Sequence, residues 1–439
     1  MSKNLLLILL FFCFTQSMQA QTKLTLDQCL ELLQSQNEDI RQANINILLA
    51  EVDVKDAKNA YIPTLSFGAG HSYNLGLAFD QVAGQLITGN KWSNSANASI
   101  STRATLFQGF ALKNKLKQSL IGLESKEVQK NRLEQSLKLE LLSKYFEAAA
   151  NKSLHETSLK QLQFAQQQLD QEQTKFQLET NTLVDVAQAE SQVASSELTR
   201  IVNMTSYTNS VVALKQLLGL SLTDSLSIEN PNLELSNQVL LHQNQAVFML
   251  DPTIKLAELS LKQSELNLKY AKGPYYPTVS FSGGYGTNYS SERKDYLTGD
   301  YMPFFNQLNQ NRNLNFGLSL SVPVFDAFKT KNNIHRLKLD LENKQSELHK
   351  TKVEREKVLT LAVQEYYKSA KEYQVLQVQN AALEKNYNAM KERYDIGVTT
   401  AMEYNKALLD YNVAEANVIK AKYTLMYNGE VIKVLRGEK

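Results

Sequence analysis

The five histidines, at positions 71, 155, 242, 335 and 349, and the two cysteines, Cys13 and Cys29, are the side chains best suited to metal binding or nucleophilic chemistry. Their spacing supports neither. A zinc site needs three or four converging Cys, His or acidic ligands, and these histidines do not cluster. No His-Glu-x-x-His, Gly-x-Ser-x-Gly or phosphate-loop pattern occurs. Gly68-Ala69-Gly70 and Gly283-Gly284 fall inside segments of period two, where glycine lets strands pack or bend rather than cradle a phosphate. With 47 Lys plus Arg against 45 Asp plus Glu, no basic face points to nucleic acid. The residues therefore indicate no enzyme, no cofactor and no metal, and function must lie in what the elements build.

The N-terminus reads as an export signal. Lys3 precedes an unbroken apolar run over residues 5–14, followed by polar residues 15–19 and the small Ala20. The run is about half the ~20 residues of a membrane helix, so the mature chain is expected to begin near Gln21. Cys13 follows bulky Phe12, which argues against lipid anchoring. The remaining cysteine, Cys29, stands at helical spacing with Leu26, Leu30 and Leu33, the pattern of a buried helix position, and one cysteine makes no internal disulfide. No later segment is apolar enough for a spanning helix, yet closed β-barrels also cross membranes through short alternating strands.

A repeat organises the chain. Lys58-Asn-Ala-Tyr-Ile-Pro-Thr-Leu-Ser-Phe67 recurs 214 residues later as Lys272-Gly-Pro-Tyr-Tyr-Pro-Thr-Val-Ser-Phe281. Leu106-Phe107 and Phe110 recur as Val324-Phe325 and Phe328, and Lys175 to Thr182 as Arg393 to Thr400, both 218 residues on. Leu217-Leu218-Gly219 likewise answers Leu435-Arg436-Gly437. The expected organisation is a signal peptide over 1–20, a first repeat over 21–220, a linker over 221–237 containing Asn230-Pro231, and a second repeat over 238–439.

In each repeat a helix yields at Pro63 or Pro277 to a strand pair, expected near 64–74 with 97–107, and 278–288 with 313–324. Leu65, Phe67, Ile100 and Leu106 in the first pair, and Val279, Phe281, Leu314, Phe316, Leu318 and Leu320 in the second, alternate with Ser, Asn, Thr and Gly. Each strand has roughly the 10 residues that cross a bilayer at a tilt, so the apolar set is expected to face lipid. A soluble sheet packed on helices is the competing reading. Its wet face would carry Lys and Glu, whereas this one is made mostly of Ser, Asn, Thr and Gly in the manner of a water-filled lumen. Even the smallest membrane barrels use about eight strands, so four must be shared between chains. Phe79, Trp92, Tyr289, Tyr296, Tyr301, Phe304 and Phe305 stand in the loops between strands and suit either the membrane interface or an outer lid.

From Phe110 to about Gln177 and from Phe328 to about Asp395 the chain lacks proline and nearly lacks glycine. Each stretch is long enough for a helix of roughly 100 Å, which implies coiled-coil packing. Ser158, Leu162, Ala165, Leu169 and Phe176 mark one seam and Leu376, Leu383, Tyr387, Met390 and Tyr394 the other, with Glu172 and Asn380 as polar interruptions. The fold class is mainly α with a small β part, built from duplicated helix–strand-pair–helix halves.

Over essentially the whole mature chain these residues resemble the TolC-like outer membrane efflux protein family. The resemblance rests on the duplicated Tyr-x-Pro-x-x-Ser-Phe segments, on Leu318-Ser-Leu-Ser-Val-Pro-Val-Phe-Asp326, and on Arg393-Tyr394-x-x-Gly397-x-x-Thr400 before a new helix. It implies a homotrimer in the outer membrane of a Gram-negative bacterium. Four strands per protomer would form a 12-stranded transmembrane β-barrel in outer-membrane lipid, continuous with a helical tunnel across the periplasm. It also implies hairpin tips at 178–182 and 396–400 that dock a periplasmic adaptor (membrane fusion) protein, with Lys175, Phe176, Leu178, Thr180, Arg393, Tyr394, Ile396, Gly397 and Val398 as contacts. Glu179 stands where the second tip has Gly397, and a first tip that is shaped differently or binds less well is expected. Asp395, Glu403 and Asp185 are gate candidates by the same resemblance; a solvated acid or helix-cap role is the alternative for each. The function implied is the exit duct of a tripartite efflux system served by an inner-membrane pump, a proton-driven exporter or an ABC transporter. The alternatives are a duct for secreted polypeptides and, from another class, a periplasmic coiled-coil scaffold without a pore.

Overall fold

The computed structural model describes residues 22–223, 226–231 and 251–437. The expected signal peptide with Cys13, positions 224–225 and 232–237 of the expected linker, and the opening residues 238–250 of the expected second repeat lie outside the described residues. The elements run β1 (Thr22–Leu24), α1 (Leu26–Gln36), α2 (Glu38–Asn59), β2 (Thr64–Leu75), β3 (Ala78–Asp80), β4 (Gln85–Ile87), β5 (Trp92–Gln108), α3 (Ala111–Gln177) and α4 (Leu183–Leu217). They continue with β6 (Leu226–Ile228), α5 (Pro252–Ala271), β7 (Thr278–Ser290), α6 (Phe304–Gln310), β8 (Asn313–Ser321), α7 (Lys329–Asp395) and α8 (Ala401–Leu435). The duplication is plain in lengths: α3 and α7 have 67 residues each, α4 and α8 35 each.

The chain divides into two compact units. The first comprises residues up to 45, 128–255 and 350 onward. Within it α1, opened by a Thr25–Gln28 capping box, buries Cys29 and Leu33 against Leu141 and Tyr145 of α3 and Leu214 of α4. Cys29 is fully buried and its thiol is pushed up to about 12 by burial, as its helical spacing implied. Within the expected linker lies β6, Leu226–Ile228. There it pairs in parallel with β1, and the Tyr145 hydroxyl donates to the Glu229 carbonyl at 2.9 Å.

The second unit, residues 46–127 and 256–349, holds one four-stranded antiparallel sheet of order β2-β5-β7-β8. The two repeats meet at the central β5–β7 pair. β5 starts earlier than expected because Trp92 to Asn94 still pair with Leu75 to Tyr73, and β8 stops at Ser321 before Pro323, which offers no donor. The edge strands β2 and β8, of 12 and 9 residues, are exposed at every position and each has one unpaired side. Where β5 turns into α3, Gly109 is left-handed (φ 52°), and a Cβ there would lie 2.3 Å from the Gly273 carbonyl oxygen. The equivalent turn before α7 places Ala327 and Phe328 in the same backbone region (φ 55° and 61°).

Candidate functional site at the hairpin tips and the sheet

Each tip forms where one helix ends and the next is capped by threonine. At the first, Glu179 N donates to Phe176 O (3.0 Å) and Thr180 N to Lys175 O (2.9 Å); at the second, Gly397 N donates to Tyr394 O (3.0 Å) and Val398 N to Arg393 O (2.8 Å). The hydrogen bonds match and so do the backbones, with Glu179 at φ 58° and Gly397 at φ 76°. The expectation of a differently shaped first tip is therefore wrong. The paired helix-ending bonds outweigh the steric cost of a Cβ in the left-handed region.

Of the expected contact residues, Phe176, Leu178, Ile396 and Val398 are exposed, and Leu183, Val184 and Met402 join them at 67%, 71% and 72% exposure. The last three were not foreseen from sequence. The available signal was their place directly after the capping Thr182 and Thr400, at the tip where each hairpin turns. Phe176 was expected on the buried seam, but it lies outside, and Glu172, read as an interruption, is buried in its stead. Thr180 donates through its hydroxyl to Lys175 O. Lys175 and Tyr394 face one another rather than outward, the ammonium lying 5.1 Å from the ring centroid.

Glu172 joins the two tips. Its carboxylate accepts from Lys175 Nζ (2.9 Å) and Asn181 Nδ2 (2.7 Å) within its own hairpin, and its charge lies beside the Tyr394 hydroxyl of the other. Tyr394 stacks on Tyr404 at 5.1 Å; Tyr404 donates to Gln168 Oε1 (3.2 Å) and lies beside Tyr387, which stacks on Tyr411. Burial drives the Tyr394 and Tyr404 hydroxyls well above the ordinary phenol range, with the Glu172 charge adding to the first. Both stay donors. An open cavity of about 330 Å³ adjoins this stack, lined by Phe164, Gln192, Tyr387, Lys391, Tyr411 and Glu415 among others.

The gate candidates divide. Asp185 is the third residue of a capping box with Thr182, and Glu403 of one with Thr400, so both carboxylates turn back onto their own helix ends. Bonds from Thr399 and then Thr400 hold the Glu403 carboxyl below its usual range. Asp395 ends α7 and is exposed.

The sheet supplies a second surface. Register places Phe67, Ile100, Tyr285 and Leu314 in one row, and Leu65 and Phe316 in the next with Thr102 and Gly283. Phe316 covers Gly283 and stacks on Phe281. Phe281 pairs with Leu318, and Val279 with Leu320. Leu106 is exposed at a slip of the ladder between Thr105 and Phe107, where Phe107 pairs with Val279. The opposite face holds Ser, Thr, Asn and Gly, with hydroxyl pairs Ser66–Ser101, Ser72–Ser95 and Ser280–Ser319. The β3–β4 hairpin folds onto the end of this polar face. Asp80 accepts from the Ser290 hydroxyl, and a cavity of about 300 Å³ lies between hairpin and strands. Among the described residues no helix is long and apolar enough to cross a membrane, which says nothing against the sheet.

A model of the outer membrane efflux protein family matches residues 29–220 and 246–430. No curated protein sequence matches the chain. Among solved structures, the fold is similar to the CmeC outer membrane channel of Campylobacter jejuni, with 17% identity over 94% of this chain and 85% of that one and a TM-score of 0.78. It is also similar to the outer membrane protein VceC of Vibrio cholerae (15%, 94% and 96%, TM-score 0.77). The open state of the MtrE outer membrane channel of Neisseria gonorrhoeae is another match (18%, 94% and 89%, TM-score 0.75). At such identities the likeness is one of fold.

Proposed function

This chain belongs to the outer membrane efflux protein family, and from that premise we propose that three copies form the exit duct of a tripartite efflux system in a Gram-negative outer membrane. The observation that carries the reading is the four-stranded sheet. It has two open edges, one apolar face and one polar face of Ser, Thr, Asn and Gly with Arg103 as its single charge. An unpaired edge in lipid strands backbone donors and acceptors at several kcal/mol per group. Joining β8 of one copy to β2 of the next around a threefold axis closes twelve strands, keeps them antiparallel and leaves no edge. The apolar rows then meet lipid and the Ser/Asn rows line water.

The duct is a passive conduit, and the inner-membrane pump supplies energy and most selectivity. The exposed apolar crown of Leu178, Leu183, Val184, Ile396, Val398 and Met402 is the surface offered to a periplasmic adaptor, with Phe176 and Arg393 beside it. Opening at this end is a separation of the two hairpins joined through Glu172 and Tyr394. Asp395 is assigned to an acidic ring there; Asp185 and Glu403 act first as helix caps.

The test is mass in detergent together with single-channel conductance of the purified protein in planar bilayers. A trimer with discrete conductance is expected. A monomer that never enters the bilayer refutes the shared barrel and favours a poreless scaffold.

A further inference from the structure

The strands β2, β5, β7 and β8 carry one formally charged side chain among them, Arg103 of β5. Register sets it opposite Thr64 and Ser282, with Gly317 next along the row. That row belongs to the polar face. Its neighbours on the same face are Ser101 and Gly284 on one side, Thr105, Ser280 and Ser319 on the other. Arg103 is exposed, and none of the four strands bears a carboxylate. Small side chains leave the guanidinium room to reach away from the sheet. A sheet that excludes every other charge from its wet face and keeps one arginine there concentrates its electrostatics at a single level.

We infer that Arg103 and its two symmetry copies form a guanidinium ring that makes the barrel prefer anionic solutes. The inference rests on the threefold duct proposed above, since in a poreless chain Arg103 faces plain solvent. A guanidinium presents its donors as a planar fork that fits carboxylate, sulfate or phosphate bidentately, so the cargo favoured at this level is one carrying such a group. Seen from about one Debye length, three unit charges in water change the ratio of anion to cation by roughly threefold to tenfold at about 0.15 M salt. At about 1 M the screening length shrinks to ~3 Å and the preference fades.

The experiment is the chloride-to-potassium permeability ratio of the full-length protein in planar bilayers, taken from reversal potentials in a KCl gradient. Wild type is compared with Arg103→Lys, Arg103→Gln and Arg103→Glu at low and high salt. Wild type and Arg103→Lys should share one ratio, Arg103→Gln should lower it by at least about threefold at low salt, and Arg103→Glu further. These gaps should narrow at high salt. Conducting channels whose ratio is the same in wild type and Arg103→Gln overturn the anion ring and leave the duct standing. Absence of channels in wild type as well overturns the duct itself.

Discussion

Replacing Glu172 by glutamine tests whether the tips are joined as described. The carboxylate is buried and takes bonds from Lys175 and Asn181 of its own hairpin, and its charge lies beside the Tyr394 hydroxyl of the second hairpin. Bonds to a charged group contribute about 1.5–3 kcal/mol and neutral ones about 0.5–1.5, so each weakens by roughly 1 kcal/mol when the charge is removed. Of these contacts only the one with Tyr394 acts between hairpins, so about 1 kcal/mol is lost to separation, about fivefold in the ratio of open to closed. Open and closed dwell times in planar bilayers at neutral pH measure that ratio. Tyr394→Phe keeps the stack on Tyr404 and should act in the same direction by a similar factor. The double variant should match Tyr394→Phe alone rather than multiply the two, because both changes act on the same contact. An open-to-closed ratio for Glu172→Gln within about twofold of wild type, or fully additive singles, refutes the joint.

Three further outcomes follow from local geometry. Glu179→Gly relieves a Cβ in the left-handed region, so hydrogen exchange at the Thr180 amide should slow by about fivefold, corresponding to ~1 kcal/mol; unchanged or faster exchange contradicts the strain argument. Gly109→Ala should abolish trimer assembly in detergent, since the added Cβ meets backbone at 2.3 Å; a normal trimer yield would show that this turn yields easily. For Glu403, whose carboxyl its threonine partners hold below the usual glutamate range, the cap's contribution is present above that range and lost as pH falls through the lower folded value. Exchange protection at residues 400–404 should therefore be level from about pH 7 to about pH 5 and drop only at more acid pH. A decline between neutral and pH 5 would show that the carboxyl is not held in this way.

Much of the architecture was legible in the chain because it is local and repeated. Pro63 and Pro277 marked where helices stop, the period of two marked the strands, and the matched Thr182 and Thr400 marked where α4 and α8 begin. Cys29 showed its burial by helical spacing alone. The duplication added a consistency check, since α3 and α7 came out with equal lengths.

The remainder needed partners that periodicity does not name. Glu172 read as an interruption in an apolar seam because nothing local says that Asn181 and Tyr394, 9 and 222 residues further on, converge on it. Leu106 kept the alternation in sequence, and nothing local showed that the ladder with β7 slips there and pairs Phe107 with Val279. Glu179 looked unsuited to its turn because side-chain preference is a weak local bias; two backbone hydrogen bonds ending α3 overrule it. The sequence by itself determined the elements and their faces, because backbone sterics and apolar period act within a few residues. Only the tertiary structure decided which elements meet, since contact across hundreds of residues depends on the packing of the whole chain.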